Sequence, residues 1–301
     1  KFSGNKTFSS GQLLELMNFY DRNFFQKHMP FIKKEPDLFS EEVLNGDIER
    51  LINFYQKEGF LFVRIETENL DVDDEQNSLK LAFNITEGQP VLVGSVSFEI
   101  MEDSLAADET LSTIIEDVRK DFTLKPSERF RDELVDLDRE LLIAGLNNLG
   151  FPYAKVYQQL RLEETRNTVD LKWIIESGPK CRFGDVEIDG ERLIPEGSIR
   201  RQVTIKKGDI FNQREIDRTQ QLIYALGVFQ IVSVKALLSN QPKKVIPVQI
   251  QIKEAKRFQT KLGFGYGSEE RFRGTIDSRI LGLIGGTRRL NLFLKLSLIH
   301  I

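Results

Sequence analysis

Cysteine and histidine are almost absent from this 301-residue chain, which contains only Cys181, His28 and His300 of these types. One cysteine excludes an internal disulfide framework. Two histidines exclude a histidine-based metal site or a Ser-His-Asp triad. No run of about 18 apolar residues occurs, so the sequence predicts no transmembrane helix. It shows no signal peptide either, and the abrupt opening KFSGNK predicts a processed start.

An excess of positive charge is also lacking. The chain has 42 Lys and Arg against 46 Asp and Glu, a net charge of −4. Nucleic-acid-binding domains usually carry a basic face, so we expect no nucleic-acid partner. The charge is uneven, because residues 257–301 hold eight Lys and Arg against three Asp and Glu while the rest is acidic. The last segment is therefore predicted to be a separate structural region.

Catalytic motifs are missing as well. The segment GFGYGSEERFRG, residues 263–274, looks like a phosphate-binding loop at first. Ser268 occupies the third glycine position of G-x-G-x-x-G, however, and no helical pattern follows. Acidic pairs such as Asp73–Asp74 lie in turn-like contexts that are typical of solvated surface charge. We therefore expect no enzyme, no catalytic residue, no metal and no cofactor.

What the sequence does contain is an internal repeat. Gly59, Gly150 and Gly227 each end a helical pattern and precede a segment rich in aromatic and β-branched residues. A second mark follows these anchor glycines after 29, 28 and 28 residues, in TEGQP, ESGPK and KEAKR. Three matches in the same register indicate three copies of one unit.

An amphipathic helix is predicted before each anchor glycine, which suits a helix end because the left-handed terminating residue costs glycine little. In the second copy the apolar stripe consists of Phe130, Leu134, Leu137, Leu141 and Ala144. In the third copy, Asn212 followed by Glu215 predicts a capping box. The stripe of that helix consists of Ile216, Thr219, Ile223 and Leu226.

Each copy continues with two predicted strands, and a further strand opens the next copy. The unit order is therefore strand–helix–helix–strand–strand, and the fold class is α+β in three tandem repeats. We place the repeats at residues 1–89, 90–179 and 180–256, ahead of a final region at 257–301. The first copy has lost most of its opening strand, and a loop insertion is predicted near residues 22–41.

In the final region the apolar period changes to two, which is typical of β-strands. In the first predicted strand one face carries Phe258, Leu262, Phe264 and Tyr266, and the other carries Gly263, Gly265 and Gly267. The later segment LNLFLKLSL places five leucines on one face. Each run has about 9–11 residues, the length that a tilted strand needs to cross a bilayer.

Two structures fit this alternation. Strands of outer-membrane barrels alternate lipid-facing apolar residues with lumen-facing residues. A soluble antiparallel sheet with one solvated face shows the same period. The leucine face and the change from acidic to basic charge favour the membrane barrel. Three strands cannot close in lipid, so this interpretation implies further strands beyond the present chain.

The repeats and the final region together resemble the outer-membrane assembly factors of the BamA and TamA kind. The resemblance covers nearly the whole chain and is strongest in FGDVEIDG, ALGVFQIVSV, VIPVQIQIKE, GFGYGSEERFRG and LIGGTRRL. It implies three periplasmic POTRA repeats followed by the first strands of an antiparallel transmembrane β-barrel in a Gram-negative outer membrane. Three repeats directly before the barrel look more like TamA, of the translocation and assembly module. BamA with upstream repeats missing and a soluble tandem-repeat periplasmic scaffold are the alternatives.

The resemblance also implies a function in protein insertion. The repeats would hold unfolded outer-membrane proteins by β-augmentation at the strands predicted for Phe60–Asn69, Tyr153–Leu162 and Phe229–Leu238. The candidate client contacts are Phe60, Leu61, Val63, Ile65, Tyr153, Val156, Phe229, Ile231 and Val234. The first barrel strand would form a gate through Phe258, Leu262, Gly263, Phe264, Gly265, Tyr266 and Gly267. The expected partners are client proteins, the lipid bilayer, and an inner-membrane-anchored TamB-like protein or assembly lipoproteins.

Overall fold

The computed structural model describes residues 1–18, 40–73, 78–101, 109–190, 194–267, 271–282, 286 and 288–297. The predicted insertion near 22–41, apart from its last two residues, lies outside these ranges. The chain divides into two compact units. The first comprises residues 1–99, 119–141 and 156–174, and the second comprises 100–118, 142–155 and 175–301.

The first repeat forms a three-stranded sheet with helices on one side. Its elements are β1 (Phe2–Ser3), α1 (Ser10–Glu15), α2 (Glu41–Lys57), β2 (Arg64–Asp73) and β3 (Ser78–Thr86). The strand order is β1-β3-β2, with β1 parallel and β2 antiparallel to the central β3. Leu51 and Tyr55 of α2 are fully buried against Phe83 and Ile85 of β3 in one hydrophobic core.

The second repeat has the same order of elements. They are β4 (Leu92–Ile100), α3 (Glu109–Arg119), α4 (Asp132–Asn148), β5 (Lys155–Glu163) and β6 (Thr168–Glu176), with the sheet order β4-β6-β5. The central strand β6 buries every second residue. Its buried side chains are Val169, Leu171, Trp173 and Ile175.

The apolar stripe predicted for the second-copy helix is wrong by a rotation of the helix. Leu137, Leu141 and Ala144 of α4 are exposed. The buried face instead consists of Val135, Asp138, Leu142 and Leu146. The error arises because a carboxylate, Asp138, lies in the middle of the buried face, where it accepts hydrogen bonds from the backbone N–H groups of Thr123 and Leu124 at 2.8 and 3.0 Å. No helix among the described residues is long and apolar enough to cross a bilayer.

The third repeat completes the series. Its elements are β7 (Arg182–Asp189), α5 (Glu196–Arg200), α6 (Gln213–Ala225), β8 (Phe229–Ala236) and β9 (Val245–Glu254), in the sheet order β7-β9-β8. The predicted capping box of α6 is confirmed in its Asn212 half, because the Asn212 side chain accepts the Arg214 N–H at 2.9 Å, while no bond from the Glu215 side chain back to the Asn212 backbone is found among the described residues. Glu215 lies 4.0 Å from Arg218. The predicted stripe is also confirmed, since Ile216, Thr219 and Ile223 are buried.

The anchor glycines occupy the left-handed region, with φ of +88° at Gly59, +109° at Gly150 and +69° at Gly227. The carbonyls of Gly59 and Gly150 also accept backbone N–H groups just before the next repeat's first strand, from Val91 at 2.8 Å and from Cys181 at 2.7 Å. A Cβ at Gly59 would clash with the carbonyl oxygen of Phe130. At position 59, glycine is therefore required both for the turn and for the close approach of the segment that contains Phe130.

Three further strands form the terminal sheet, β10 (Phe258–Gly267), β11 (Arg271–Leu281) and β12 (Arg289–Ser297), paired antiparallel in this order. The register places Leu262 opposite Ile276, which lies opposite Leu294. The predicted alternation is confirmed over the described residues, because most apolar residues of the three strands share one face, with Leu281 and Phe293 on the other. The fifth predicted leucine, Leu298, lies outside the described ranges. The predicted α+β repeats are confirmed too. That the terminal strands begin a membrane barrel stays a prediction.

Candidate functional site

An edge strand recurs at the same place in all three repeats. The strand after the anchor glycine is β2, β5 or β8, and each lies at one edge of its sheet. No described strand pairs with the outer side of any of them. Such an edge presents N–H and C=O groups that an extended peptide can pair with. The three repeats thus share one candidate surface for strand addition.

In the first repeat the structure separates the predicted contacts. The strand β2 begins at Arg64, so Phe60, Leu61 and Val63 precede it. Phe60 and Val63 are buried in the core of the repeat, with 3% and 8% of their surface exposed. Ile65 lies within β2 opposite Ile85 and packs against the same core. Of these four residues, Ile65 alone belongs to the edge strand.

In the second repeat Tyr153 precedes β5, which begins at Lys155. Its hydroxyl oxygen accepts the backbone N–H groups of Ser239 and Lys243, both at 3.3 Å. Tyr153 therefore holds a loop of the third repeat. Val156 lies on β5 with its side chain buried.

In the third repeat all three predicted residues belong to the edge strand β8. Phe229 and Val234 are buried, whereas Ile231 is 52% exposed and lies opposite Lys253 of β9. The opposite edge, β7, is irregular, because its register shifts between Phe183 and Val186. Such shifts interrupt pairing, and β8 has one too, between Phe229 and Ile231, ahead of a regular stretch over Ile231–Ala236. Within that stretch the Val234 N–H already donates to Gln220 Oε1 at 3.0 Å.

The terminal sheet exposes an apolar face, interrupted by the hydrogen-bonded pair Thr260 and Ser278. Its residues and their exposed fractions are Phe258 66%, Leu262 64%, Phe264 89%, Tyr266 71%, Phe272 66%, Ile276 41%, Leu290 48%, Leu292 53%, Leu294 54% and Leu296 76%. Cross-strand register groups them in rows that run from Phe258 and Ile280 at one end to Tyr266 and Phe272 at the other. Aromatic residues thus lie at both ends of the face.

The opposite face of this sheet is mostly polar, apart from Leu281 and Phe293, and includes the three predicted glycines. Gly263 lies opposite Thr275, Gly265 opposite Arg273 and Gly267 opposite Arg271. A Cβ at Gly263 would lie 2.5 Å from the Thr275 Oγ1 atom, whereas a Cβ at Gly265 would have no neighbour closer than 3.7 Å. Gly263 therefore makes room for Thr275, and Gly265 leaves an open gap.

Buried polar groups in the repeats hold loops in place. Glu87 accepts the Thr7 N–H at 2.9 Å and the Tyr55 hydroxyl at 3.1 Å. Burial, together with this carboxylate, raises the pKa of Tyr55 above its ordinary value. Sequence reasoning missed Glu87, although its position directly before a recurring glycine in TEGQP was a usable signal. No group of three or more His, Cys, Asp and Glu residues within the described ranges could hold a metal ion.

Comparisons with known proteins agree with this architecture. The POTRA family, described as "Surface antigen variable number repeat", matches residues 1–88, 113–178 and 181–255. The chain is 20% identical over 267 residues to the outer membrane protein assembly factor BamA of Buchnera aphidicola, in an alignment that covers 89% of this chain and 41% of that protein. The chain therefore spans less than half the length of this relative.

Two solved structures share the fold. A crystal structure of Haemophilus influenzae BamA POTRA3-5 is 17% identical, with a TM-score of 0.51 over 84% of this chain and 94% of that one. BamA from Haemophilus ducreyi lacking POTRA domains 1-3 is 15% identical, with a TM-score of 0.53 over 69% of this chain and 37% of that one.

The POTRA match covers most of the chain and includes all three repeats. The relative is named as an assembly factor rather than as an enzyme. Such relatives place the protein at the outer membrane, with its repeats on the periplasmic side. The chain therefore belongs to the POTRA family.

Proposed function

We propose that this protein holds unfolded β-rich outer-membrane proteins on its repeats and templates their insertion at the seam of a membrane barrel. The repeats of this proposal are residues 1–89, 90–179 and 180–256, and the barrel begins at residues 257–301. The observation that carries the proposal is the recurring edge strand, since β2, β5 and β8 occupy equivalent outer positions in their sheets.

Strand addition suits transient holding of a client. Each backbone hydrogen bond contributes about 0.5–1.5 kcal/mol net, so a handful of bonds gives weak and reversible binding. Alternate side chains of the edge strand add selectivity for apolar residues. Ile231 is the best placed of the predicted contacts because its side chain is exposed on β8. The buried residues Phe229 and Val234 instead fix the position of the strand.

The edge can be tested by photo-crosslinking in cells. A photoreactive residue at Ile231 of β8 should capture unfolded outer-membrane proteins. The matched control is Glu187, which lies on β7 at the opposite edge of the same sheet. Equal capture at Ile231 and Glu187, or capture at neither, would contradict client binding at β8.

The terminal sheet supports the membrane part of the proposal. The eight residue steps from Phe258 to Tyr266 span about 27 Å along the strand. Tilted by about 40°, such a strand covers roughly 20 Å of membrane thickness, close to the apolar band of about 25 Å in outer-membrane barrels. The exposed leucines of β12 would then face lipid, and the polar face would line the lumen.

The gate is proposed at the first strand, β10. It is an edge of the terminal sheet as described, and its glycines at 263, 265 and 267 lack side chains on the polar face. Glycine in a strand forgoes packing and costs backbone entropy. A seam built on β10 would therefore open more easily than one built on β12, where leucines alternate along the strand.

Extraction from membranes distinguishes this proposal from a soluble periplasmic scaffold. We expect the whole protein to require detergent, while a fragment comprising residues 1–256 stays in the aqueous phase. If the whole protein is released by high salt or carbonate alone, the terminal sheet does not lie in the bilayer and the barrel proposal fails.

The subtype is a finer proposal. Three repeats ahead of the terminal sheet support a TamA-like protein that works with an inner-membrane-anchored TamB-like partner. The likeness to BamA POTRA domains 3-5 supports the alternative, BamA with further repeats and assembly lipoproteins. The complete gene and the proteins that co-purify with its product decide between the two. Two upstream repeats and bound lipoproteins would overturn the TamA-like assignment.

A further inference from the structure

Three basic residues surround the end of the apolar face that adjoins the third repeat. The last apolar row of the terminal sheet is Phe258, Ile280 and Leu290. Lys256 and Arg257 immediately precede β10, and Arg288 immediately precedes β12. We call Lys256, Arg257 and Arg288 the basic rim.

The basic rim carries exposed positive charge. All three side chains are exposed. None of them forms an ion pair with a described residue. Glu254 is the nearest carboxylate in sequence, and its Oε1 atom accepts the backbone N–H of Ile194 at 2.9 Å. Even with this carboxylate counted, the three cations leave the described rim with a net positive charge that can attract an anion from outside the chain.

Arg257 lies at the boundary between charge and apolar surface. Its guanidinium carbon is 5.6 Å from the centroid of the Phe258 ring, an arrangement in which the aromatic face attracts the cation. Phe258 belongs to the apolar face and is 66% exposed. The stacking holds a cation directly beside the last apolar row.

Backbone pairing sets the width of the rim. The Arg257 carbonyl accepts the Leu281 N–H at 2.8 Å, and Leu281 lies opposite Arg289 of β12. The chain at Arg257 is therefore two strand spacings, about 10 Å, from the chain at Arg289, and Arg288 is the next residue. Arg289 differs from the rim, because its Nη1 atom would lie 3.3 Å from a Cβ at Gly227, beside the end of α6.

We propose that the basic rim binds the phosphate of an anionic phospholipid where the apolar face ends. This inference rests on the proposed contact of that face with lipid, and it adds a preference for lipid charge. The apolar row next to the cations would receive acyl chains, so the phosphate belongs to a lipid rather than to a free ion. Long basic side chains near an apolar surface keep their charged ends at such a boundary.

The preference has an expected size. Each basic residue close to an anionic membrane surface strengthens binding by about fivefold, so three residues give a preference on the order of 100-fold. The interaction should weaken with salt because exposed charges are screened over about 10 Å at 0.1 M ionic strength.

The test compares vesicles of two compositions, using the whole protein. One set contains phosphatidylcholine alone, and the other contains phosphatidylcholine and phosphatidylglycerol in equal amounts. The protein should bind the anionic vesicles far more tightly, and a variant with K256Q, R257Q and R288Q should lose most of this difference. R257K keeps the charge and should retain most of it.

Arg279→Gln is the matched control. It removes one charge, as Arg257→Gln alone does, from an exposed residue of the same sheet, but Arg279 lies on the polar face opposite Gln259 and Asn291. This variant should keep the lipid preference. A loss equal to that of Arg257→Gln alone would show diffuse electrostatic attraction and overturn the site.

The remaining outcomes separate the two proposals. Binding to neither kind of vesicle would contradict the membrane role of the terminal sheet itself. Equal binding of the unmodified protein to both kinds would overturn the basic rim while leaving that role intact. Excess inorganic phosphate at constant ionic strength should not compete, and competition would show a site for a free anion instead of a lipid.

Discussion

The third repeat and the terminal sheet share a pattern of alternating apolar and polar residues. The apolar face is buried in the repeat and exposed in the terminal sheet. Both sheets have three strands, and β9 and β12 both alternate apolar with polar residues. In β9 the alternate residues Ile246, Val248 and Ile250 are 0% exposed. In β12 the alternate residues Leu290 and Leu296 are 48% and 76% exposed.

The difference lies in what covers each face. Over β9, Ile199 of α5 and Ile216 and Ile223 of α6 join the strand residues in one core. Over β12, no described helix or strand lies against the leucines. A period of two in the sequence therefore predicts which residues share a face of the strand. Whether that face contacts protein, water or lipid depends on the rest of the chain.

The largest expected effect is a loss of stability in the third repeat, whose sheet is covered by α5 and α6. Ile250→Ala should lower the free energy of unfolding of the third repeat by about 2–5 kcal/mol, because it leaves a cavity beneath α6. Hydrogen exchange of the β9 amides measures the change. The matched control is Gln251→Ala, an exposed neighbour on the other face, and a loss as large at Gln251 would contradict the assignment of the core face.

The next largest effect is a loss of stability of the terminal sheet that we expect only in a lipid bilayer. Leu294→Arg should cost about 2–4 kcal/mol in a bilayer, the range for a cation on a lipid-facing strand near the membrane centre. Without lipid the same change should shift stability by no more than about 0.5 kcal/mol, because Leu294 is already exposed. Asn291→Arg, on the polar face, is the control. Similar costs for the two variants in vesicles would contradict the lipid-facing assignment.

A smaller effect distinguishes two roles of the glycines in β10, which are to make room for a neighbouring side chain and to weaken the strand of the proposed gate. Gly263→Val should destabilise the terminal sheet by about 1–3 kcal/mol through overpacking against Thr275, and Thr275→Ala should relieve part of this loss. Gly265→Val meets no such neighbour. It should slow client insertion in a reconstituted assay while leaving the sheet intact, and an unchanged insertion rate would refute a gate at this strand.

The last prediction concerns the buried thiol of the third repeat. Burial raises the pKa of Cys181 from 9.0 to about 11. The unfolded chain ionises first, so this contribution to stability is complete below pH 9 and is lost as the pH rises towards 11. At pH 8, alkylation of Cys181 should wait for opening of the repeat, whereas a cysteine introduced at exposed Gln259 should react at once. Equal rates would show that the third repeat opens readily.

Much of the fold was predictable because the repeat imposes its own register. The anchor glycines at 59, 150 and 227 marked the helix ends, and the positive φ angles confirm them. The stripe of α6 was found because its buried polar residue, Thr219, is small and accepts the Thr204 N–H at 3.1 Å. The stripe of α4 was missed because Asp138 looks like a surface residue until its hydrogen-bond partners in the preceding loop are known.

The candidate contacts were harder to predict than the strands. The aromatic and β-branched segments marked the strands, but their ends depend on tertiary packing, so Phe60 and Val63 fall in the core before β2. Tyr153 looked like a strand residue because its hydrogen-bond partners, Ser239 and Lys243, are 86 and 90 residues away. The basic rim was visible only as an excess of positive charge, since its place depends on strand register.

The contact of Gly59 with the carbonyl of Phe130 bears on how such a chain tolerates genetic variation. The side chain of any other residue there would push apart the first repeat and the segment that contains Phe130. Each repeat could still fold around its own core, while the orientation of the adjoining segment relative to the first repeat would change. We expect variants at this position to pass tests of expression and abundance and to fail when the tandem array must align several edges for one client.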